Sequence, residues 1–243
     1  MTDILTVKDV SFSYGEKAVL HSVSLEVQKG EIVSILGPSG VGKSTLFNLI
    51  AGILPVQMGS IVVDNAPISF GKVSYMLQKD LLLEHKTVLG NIILPLQLKK
   101  ISREEATKTA LKLLEEFKLE SIANLYPNAL SGGMRQRVAL LRTYLLGHSV
   151  FLLDEAFSAL DELTRQDLYQ WYLESKKRLG LTTLVITHSI EEALTLSDRI
   201  YILNHNPGEI VADLLVKWDA ATDRDWQQLQ YKKQIIKLLT DDH

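Results

Sequence analysis

Gly37-Pro38-Ser39-Gly40-Val41-Gly42-Lys43-Ser44 has the spacing G-x-x-x-x-G-K-[ST]. Glycines let a backbone wrap closely round an anion, because no Cβ blocks the approach. In such a loop the N–H groups and the start of the following helix face the phosphates of a nucleoside triphosphate. Lys43 would reach the β- and γ-phosphates, and the Ser44 hydroxyl would hold Mg²⁺. A second chemical segment is Val150-Phe-Leu-Leu-Asp154-Glu155, four apolar residues ending in two carboxylates. An apolar strand that ends in acids places them at the mouth of a sheet, where α/β folds bind ligands. Asp154 suits the metal shell. Glu155 suits a general base, since hydrolysis needs a proton acceptor near the γ-phosphate.

These residues need strands and helices to hold them. Glu31–Leu36 is a short apolar run of β-branched character, the pattern of a strand covered on both faces. Thr45–Ala51 reads as the apolar helix after the loop. Ile4–Tyr14 and Ala18–Val27 alternate apolar and polar residues across a Gly15-Glu16 turn, which predicts antiparallel strands with one solvated face. Further strands are expected at Ser60–Val63, Val73–Leu77, Val150–Asp154, Thr182–Thr187, Arg199–Leu203 and Glu209–Leu215. Ser102 and Ser189, each followed three residues later by Glu, are capping boxes that open helices. Gly132–Leu146 is a further helix closed by Gly147, and Trp226, Leu229, Ile236 and Leu239 are expected to share one face of a C-terminal helix. The order is strands, a helical block, then alternating strand and helix.

The composition narrows the chemistry. The 243 residues are 46% hydrophobic and 23% charged, ordinary globular usage. With no cysteine there is no thiol nucleophile, thiolate zinc site or iron–sulfur cluster. A net charge of −3 disfavours a nucleic-acid partner. The apolar stretches Leu46–Val56 and Thr87–Leu98 are shorter than the roughly 20 residues a membrane span needs. Met1-Thr2-Asp3 shows no leader pattern, so a cytoplasmic protein is expected.

Leu130-Ser131-Gly132-Gly133-Met134-Arg135-Gln136-Arg137 opens a helix 18 residues before Glu155. At this point the chain resembles, over essentially its whole length, the ATP-binding subunit of an ABC transporter. Met134 stands where that family usually has Gln. The resemblance implies a P-loop, RecA-like α/β core with an antiparallel β subdomain and a helical insertion. It implies one domain over 1–243, with a core lobe of about 1–78 and 150–243 and a helical subdomain of about 79–149. It assigns ATP contacts to Tyr14, stacked on adenine, to Gly37, Pro38, Ser39, Gly40, Val41, Gly42, Lys43, Ser44 and Thr45, and to Ser131, Gly132, Gly133 and Asp161. It assigns Mg²⁺ to Ser44, Gln78 and Asp154. It assigns catalysis to Glu155, to the switch residue His188, to Gln78 at the attacking water and to Lys43.

The resemblance further implies a head-to-tail homodimer with two ATPs sandwiched, each between one chain's loop and the other chain's Ser131 turn. Transmembrane permease subunits would be the membrane partners, docked on the helical region after Gln78, with an extracytoplasmic solute-binding protein engaged indirectly. The chain would thus sit at the inner face of the membrane. Leu81-Leu82-Leu83 and Thr87–Ile92 look like the docking groove. Met76–Leu83, Thr87–Asn91, Met134–Arg142 and Leu160–Arg165 resemble importers of nitrate, sulfonate and taurine, which include relatives carrying thiamine pyrimidine precursors. Ala156 departs from that group, which commonly has Pro there. Amino-acid, phosphonate and betaine importers, an exporter subunit and a soluble ABC ATPase of iron–sulfur assembly remain alternatives.

Overall fold

The computed structural model describes residues 3–240. The leader reading of Met1-Thr2 and the end of the C-terminal stretch, residues 241–243, lie outside the described residues. Contacts divide the chain into two units. The first runs through Val73, takes in Ser149–Glu155, and resumes from Gly180 onward; the second is Ser74–His148 with Ala156–Leu179.

In the first unit, β1 (Asp3–Tyr14) pairs antiparallel with β2 (Lys17–Gln28) and β4 (Met58–Val63), and β4 with the two-residue β5 (Ala66–Pro67). Alternate residues Leu5, Val7, Val10 and Phe12 are buried, as a half-solvated sheet requires. The alternation breaks between Val7 and Val10, where the pairing shifts and Asp9 takes a positive φ of 50°.

The second sheet of this unit begins with β3 (Ile32–Leu36), buried at all five positions. It is followed by the loop and by α1 (Lys43–Ile50). β7 (Val150–Asp154), β8 (Thr182–Thr187), β9 (Arg199–Asn204) and β10 (Glu209–Leu215) complete the order β10-β9-β3-β8-β7. β3 runs parallel to both β8 and β9, and β8 parallel to β7. Parallel neighbours force the ends of β3, β7 and β8 onto one edge, and that geometry builds the site.

α7 (Ile190–Leu196) starts at Ser189, whose hydroxyl accepts the Glu192 N–H. α8 (Arg224–Thr240) corrects the reading of the C-terminus. The buried residue is Ile235, packed with Leu36, Leu194, Ile200 and Ile202, with Tyr231, Leu238 and Leu239 beside it. Trp226, Leu229 and Ile236 face outward. Tyr231 sets this rotation: its hydroxyl accepts the Lys217 N–H, and its ring meets Trp218 edge-on. At 3.6 residues per turn, fixing Tyr231 brings positions 235 and 238 inward and turns 229 and 236 away. Ile235→Ala is therefore expected to cost about 2–5 kcal/mol of stability. Ile236→Ala should stay within about 0.5 kcal/mol. Urea unfolding of the two variants checks this, and equal losses would place the helix differently.

The second unit opens with β6 (Ser74–Met76) and continues through α2 (Val88–Ile92), α3 (Leu94–Leu98) and α4 (Arg103–Glu116). Ser102 caps α4, and Ala106, Ala110, Leu113 and Leu114 form its buried face. α5 (Gly132–Tyr144) and α6 (Glu162–Leu179) follow. Trp171 of α6 meets Phe117 edge-on and lies under the Arg137 guanidinium of α5. Those contacts put Ala156–Leu179 with the helical block, where the sequence reading had it in the core lobe.

The apolar run after Gln78 also needs correcting. Leu82, Val88 and Ile92 are core, not groove. Asn91, fully buried, explains why: its side chain accepts the Leu83 N–H and donates to the carbonyls of Leu83, Lys86 and Thr87, so the run folds inward around it. Leu77 and Leu81 remain exposed.

Candidate functional site

In the first unit the β3 loop, the end of β7 and the end of β8 meet. The sheet pairs Leu36 with Thr187 and Asp154 with Ile186, so the residues that follow these strands emerge together. A concavity of about 230 Å³ lies there, lined by Val19, Ser39, Gly40, Gly42, Lys43, Ser44, Thr45 and Glu155. Gly42 has φ 110°, and a Cβ there would fall 2.7 Å from Leu20 Cδ2. Only glycine can let the loop turn into α1 against β2 at this point. The helical ladder begins with the Leu46 N–H donating to Gly42 O, so the N–H groups of residues 43–45 precede it.

Lys43 is buried, and its Nζ donates to Gly37 O at 2.8 Å and Pro38 O at 2.7 Å. Burial holds its pKa below the usual lysine value, against the opposing pull of the Glu155 and Asp154 carboxylates. Pro38, Ser39, Gly40 and Ser44 lie at the surface, Val41 is buried and Thr45 is half-buried. Glu155 takes a left-handed φ of 46°, uncommon for a residue with a side chain. Its N–H donates to Ile186 O, and its Oε1 lies 3.2 Å from His188 Nδ1. Backbone held in a sparse region next to charged groups is a mark of functional sites. A carboxylate oriented by an imidazole, near a buried ammonium and a helix N-terminus, can take a proton from water beside a bound polyphosphate. Asp154 ends β7 half-buried. Tyr14 ends β1, half exposed and edge-on to Phe12, and is not among the residues lining the cavity.

The second unit carries the other expected residues. Ser131 caps α5, its Oγ accepting the Met134 N–H at 3.3 Å. A methyl at Gly133 would lie 2.7 Å from Thr164 Cγ2, and one at Gly132 2.9 Å from Leu160 Cδ2. The two glycines therefore serve close packing as well as access. Asp161 is exposed and accepts the Thr164 N–H at the start of α6. That hydrogen bond, with the Thr164 side chain as the largest influence, keeps its carboxyl below the usual range. Gln78 is exposed and lines a groove with Asp80, Leu81, Glu84, Arg135 and Gln136.

The motif reading missed Val19, Asp80, Arg135 and Arg142. The last two stand seven residues apart on α5, a spacing that puts them on one helix face and was available as a signal.

A Gly-rich loop between a buried parallel strand and a helix, with an acid pair at the end of the next strand but one, defines a P-loop nucleotide-binding protein. The fold of these residues fits a triphosphate: the cradle is glycine-lined, its ammonium is buried and its helix starts at the anion position. Residues 20–158 match the ABC transporter family. The formylaminopyrimidine import ATP-binding protein ThiZ of Halalkalibacterium halodurans is 39% identical over 99% of this chain and 98% of its own. The taurine import ATP-binding protein TauB of Yersinia pestis is 38% identical over 87% and 84%. The spermidine/putrescine import ATP-binding protein PotA of Thermotoga maritima is 41% identical over 85% of this chain, which spans only 57% of PotA. Among solved structures, the ATP-binding cassette MJ0796, a dimer bound to ADP and Pi, aligns with TM-score 0.72 and 32% identity over 88% of this chain and all of its own. CbiO1 from Clostridium perfringens shares the fold, with TM-score 0.83 and 23% identity over 99% and 96%. The chain belongs to the ABC transporter family, as an ATP-binding, ATP-hydrolysing subunit. No helix among the described residues is long and apolar enough to cross a membrane.

Proposed function

We propose that this chain powers an ABC importer for a small organic or inorganic anion or a thiamine-precursor-like solute. The observation that carries this reading is the near full-length similarity to a formylaminopyrimidine import protein, alongside a taurine import protein. Membrane permease subunits would translate its motion into transport and place it at the inner membrane face, with a solute-binding protein delivering the solute to them.

In this reading residues 37–45 hold the phosphates and Lys43 neutralises the β- and γ-phosphates, with Tyr14 on the adenine. Ser44, Asp154 and Gln78 would hold Mg²⁺, which neutralises charge on the transferring phosphoryl group. Glu155 takes the proton of the attacking water, and His188 fixes the carboxylate and touches the γ-phosphate. Two copies close head to tail, so that the Ser131-Gly132-Gly133 turn and Asp161 of one meet the ATP held by the other. Closure lasts while the γ-phosphate bridges the halves.

The test is uptake of a labelled pyrimidine precursor and of taurine in a deletion strain, with co-purification of a permease. The wild-type chain should restore uptake of one solute, and Lys43→Ala should not. Removing charge-assisted hydrogen bonds of about 1.5–3 kcal/mol should weaken ATP binding by about 10- to 100-fold. A chain that recovers no permease and restores no uptake would turn the reading to a transport-free ABC ATPase.

A further inference from the structure

Two residues past Gln78, the chain is tied to α5 by a cluster that the nucleotide site does not use. Arg135 grips both carboxylate oxygens of Asp80 with one edge of its guanidinium: Nε donates to Oδ2 at 2.8 Å and Nη2 to Oδ1 at 3.0 Å. Its Nη2 also donates to Glu84 Oε1 at 2.7 Å. Two turns further on, Arg142 donates to the carbonyls of Asp80 and Leu81. Asp80 Oδ1 accepts the Leu82 N–H as well. The Asp80 and Arg135 side chains are only 19% and 23% exposed. Bidentate, partly desolvated pairs of this kind are stronger and more directional than surface ion pairs.

The tie holds a bent segment. Leu81 has φ 47°, a left-handed conformation costing a residue with a Cβ roughly 1–2 kcal/mol. Arg142 bonds the carbonyls on both sides of that bend. Burial works to raise the Asp80 pKa, but the hydrogen bonds from Arg135 and Leu82 and the two guanidinium charges outweigh it and keep the carboxyl below its usual range.

Its two ends matter for a reason of sequence. Asp80 follows Gln78 by two residues, and Arg135 sits one turn inside the helix that Ser131 caps. We propose that Asp80 and Arg135, supported by Arg142 and Glu84, are positioning residues that make the Gln78 loop and the Ser131 turn move as one body. The proposal rests on the site reading above, in which Gln78 meets the ATP held by its own chain and Ser131 the ATP held by the partner. The clamp would then couple the two ATP sites of the dimer through each chain.

The experiment is a double-mutant cycle in the full-length chain: Asp80→Asn, Arg135→Gln and both together, with Arg135→Lys as the conservative variant. The readouts are kcat, the KM for ATP and the Hill coefficient of hydrolysis. Each single change should lower kcat about 10- to 100-fold by misplacing contacts at the site. KM should change less than about twofold, and the Hill coefficient should fall from above unity to unity. The double variant should be no worse than either single one, and Arg135→Lys should recover part of kcat. Additive losses, or a lower melting temperature with kcat and Hill coefficient unchanged, would make the cluster a structural tie and overturn the proposal. So would a wild-type Hill coefficient of unity. Failure of the site reading shows separately, as an ATP affinity that Lys43→Ala leaves unchanged or as monomer ATP binding that Ser131→Arg abolishes.

Discussion

Glu155→Gln should slow ATP hydrolysis by about 10²- to 10⁴-fold, the range lost when a general base is removed. ATP affinity should hardly change, because the amide keeps the shape of the carboxylate. The residue ends a parallel strand, its N–H is fixed to Ile186 O, and its Oε1 lies 3.2 Å from His188 Nδ1. An amide can still meet the imidazole there but cannot accept a proton from water. If ATP bridges two chains, the slowed variant should accumulate as a dimer with ATP and return to its resting state with ADP. Size-exclusion chromatography coupled to light scattering reads the dimer, and phosphate release reads the rate. Hydrolysis at the wild-type rate would remove Glu155 from the role of base. The ATP affinity then needs no reinterpretation, since Lys43 and the loop carry it.

Ser131→Arg should abolish ATP-driven dimerisation while each chain still binds ATP. Ser131 Oγ accepts the Met134 N–H, a cap worth about 0.5–2 kcal/mol. A cation at a helix N-terminus opposes the helix dipole by roughly 0.3–1 kcal/mol. The long side chain would also stand in a turn that has to approach a phosphate closely. If the turn is a central contact of the closed dimer, its loss should weaken closure by about 10²- to 10³-fold, as for interface hot spots. In the proposed reading, nucleotide binding to the monomer rests chiefly on residues 37–45 of the other unit and should be untouched in a titration. Equal loss of binding and dimerisation would end the half-site account, because one chain's turn would then be serving its own ATP.

Local patterns carried much of this molecule. β3 and β8 are buried at every position; the apolar residues around Ser34 and the Leu184–Ile186 centre of β8 signal it, while Thr182, Thr183 and Thr187 do not. The capping serines 102 and 189 each bond the N–H three residues on, the relation their Ser-x-x-Glu spacing encodes. The loop at 37–44 and the acids at 154–155 are contiguous motifs, so no tertiary knowledge was needed to find them. What escaped was non-local. The Asp80–Arg135 pair spans 55 positions, and nothing within a helical window announces a partner that distant. The run from Thr87 to Ile92 is apolar enough for either a groove or a core; Asn91 and its four hydrogen bonds decide for the core. In α8 both faces carry large apolar residues, so periodicity alone could not choose between them. Tyr231 chose, through a hydroxyl anchored to the backbone of Lys217.

The sandwich of Arg137, Trp171 and Phe117 gives the second unit an optical property. The chain has three tryptophans, and Trp171 is the one under a guanidinium borne by α5, two residues from Arg135. An indole's emission wavelength and yield respond to the charge and polarity next to its ring. With Trp218 and Trp226 replaced by Phe, Trp171 becomes a native fluorophore on α6, packed against the helix that Ser131 opens. Rearrangement of that helix during a catalytic cycle can then be followed in stopped flow, with no dye attached and no cysteine introduced into a chain that has none.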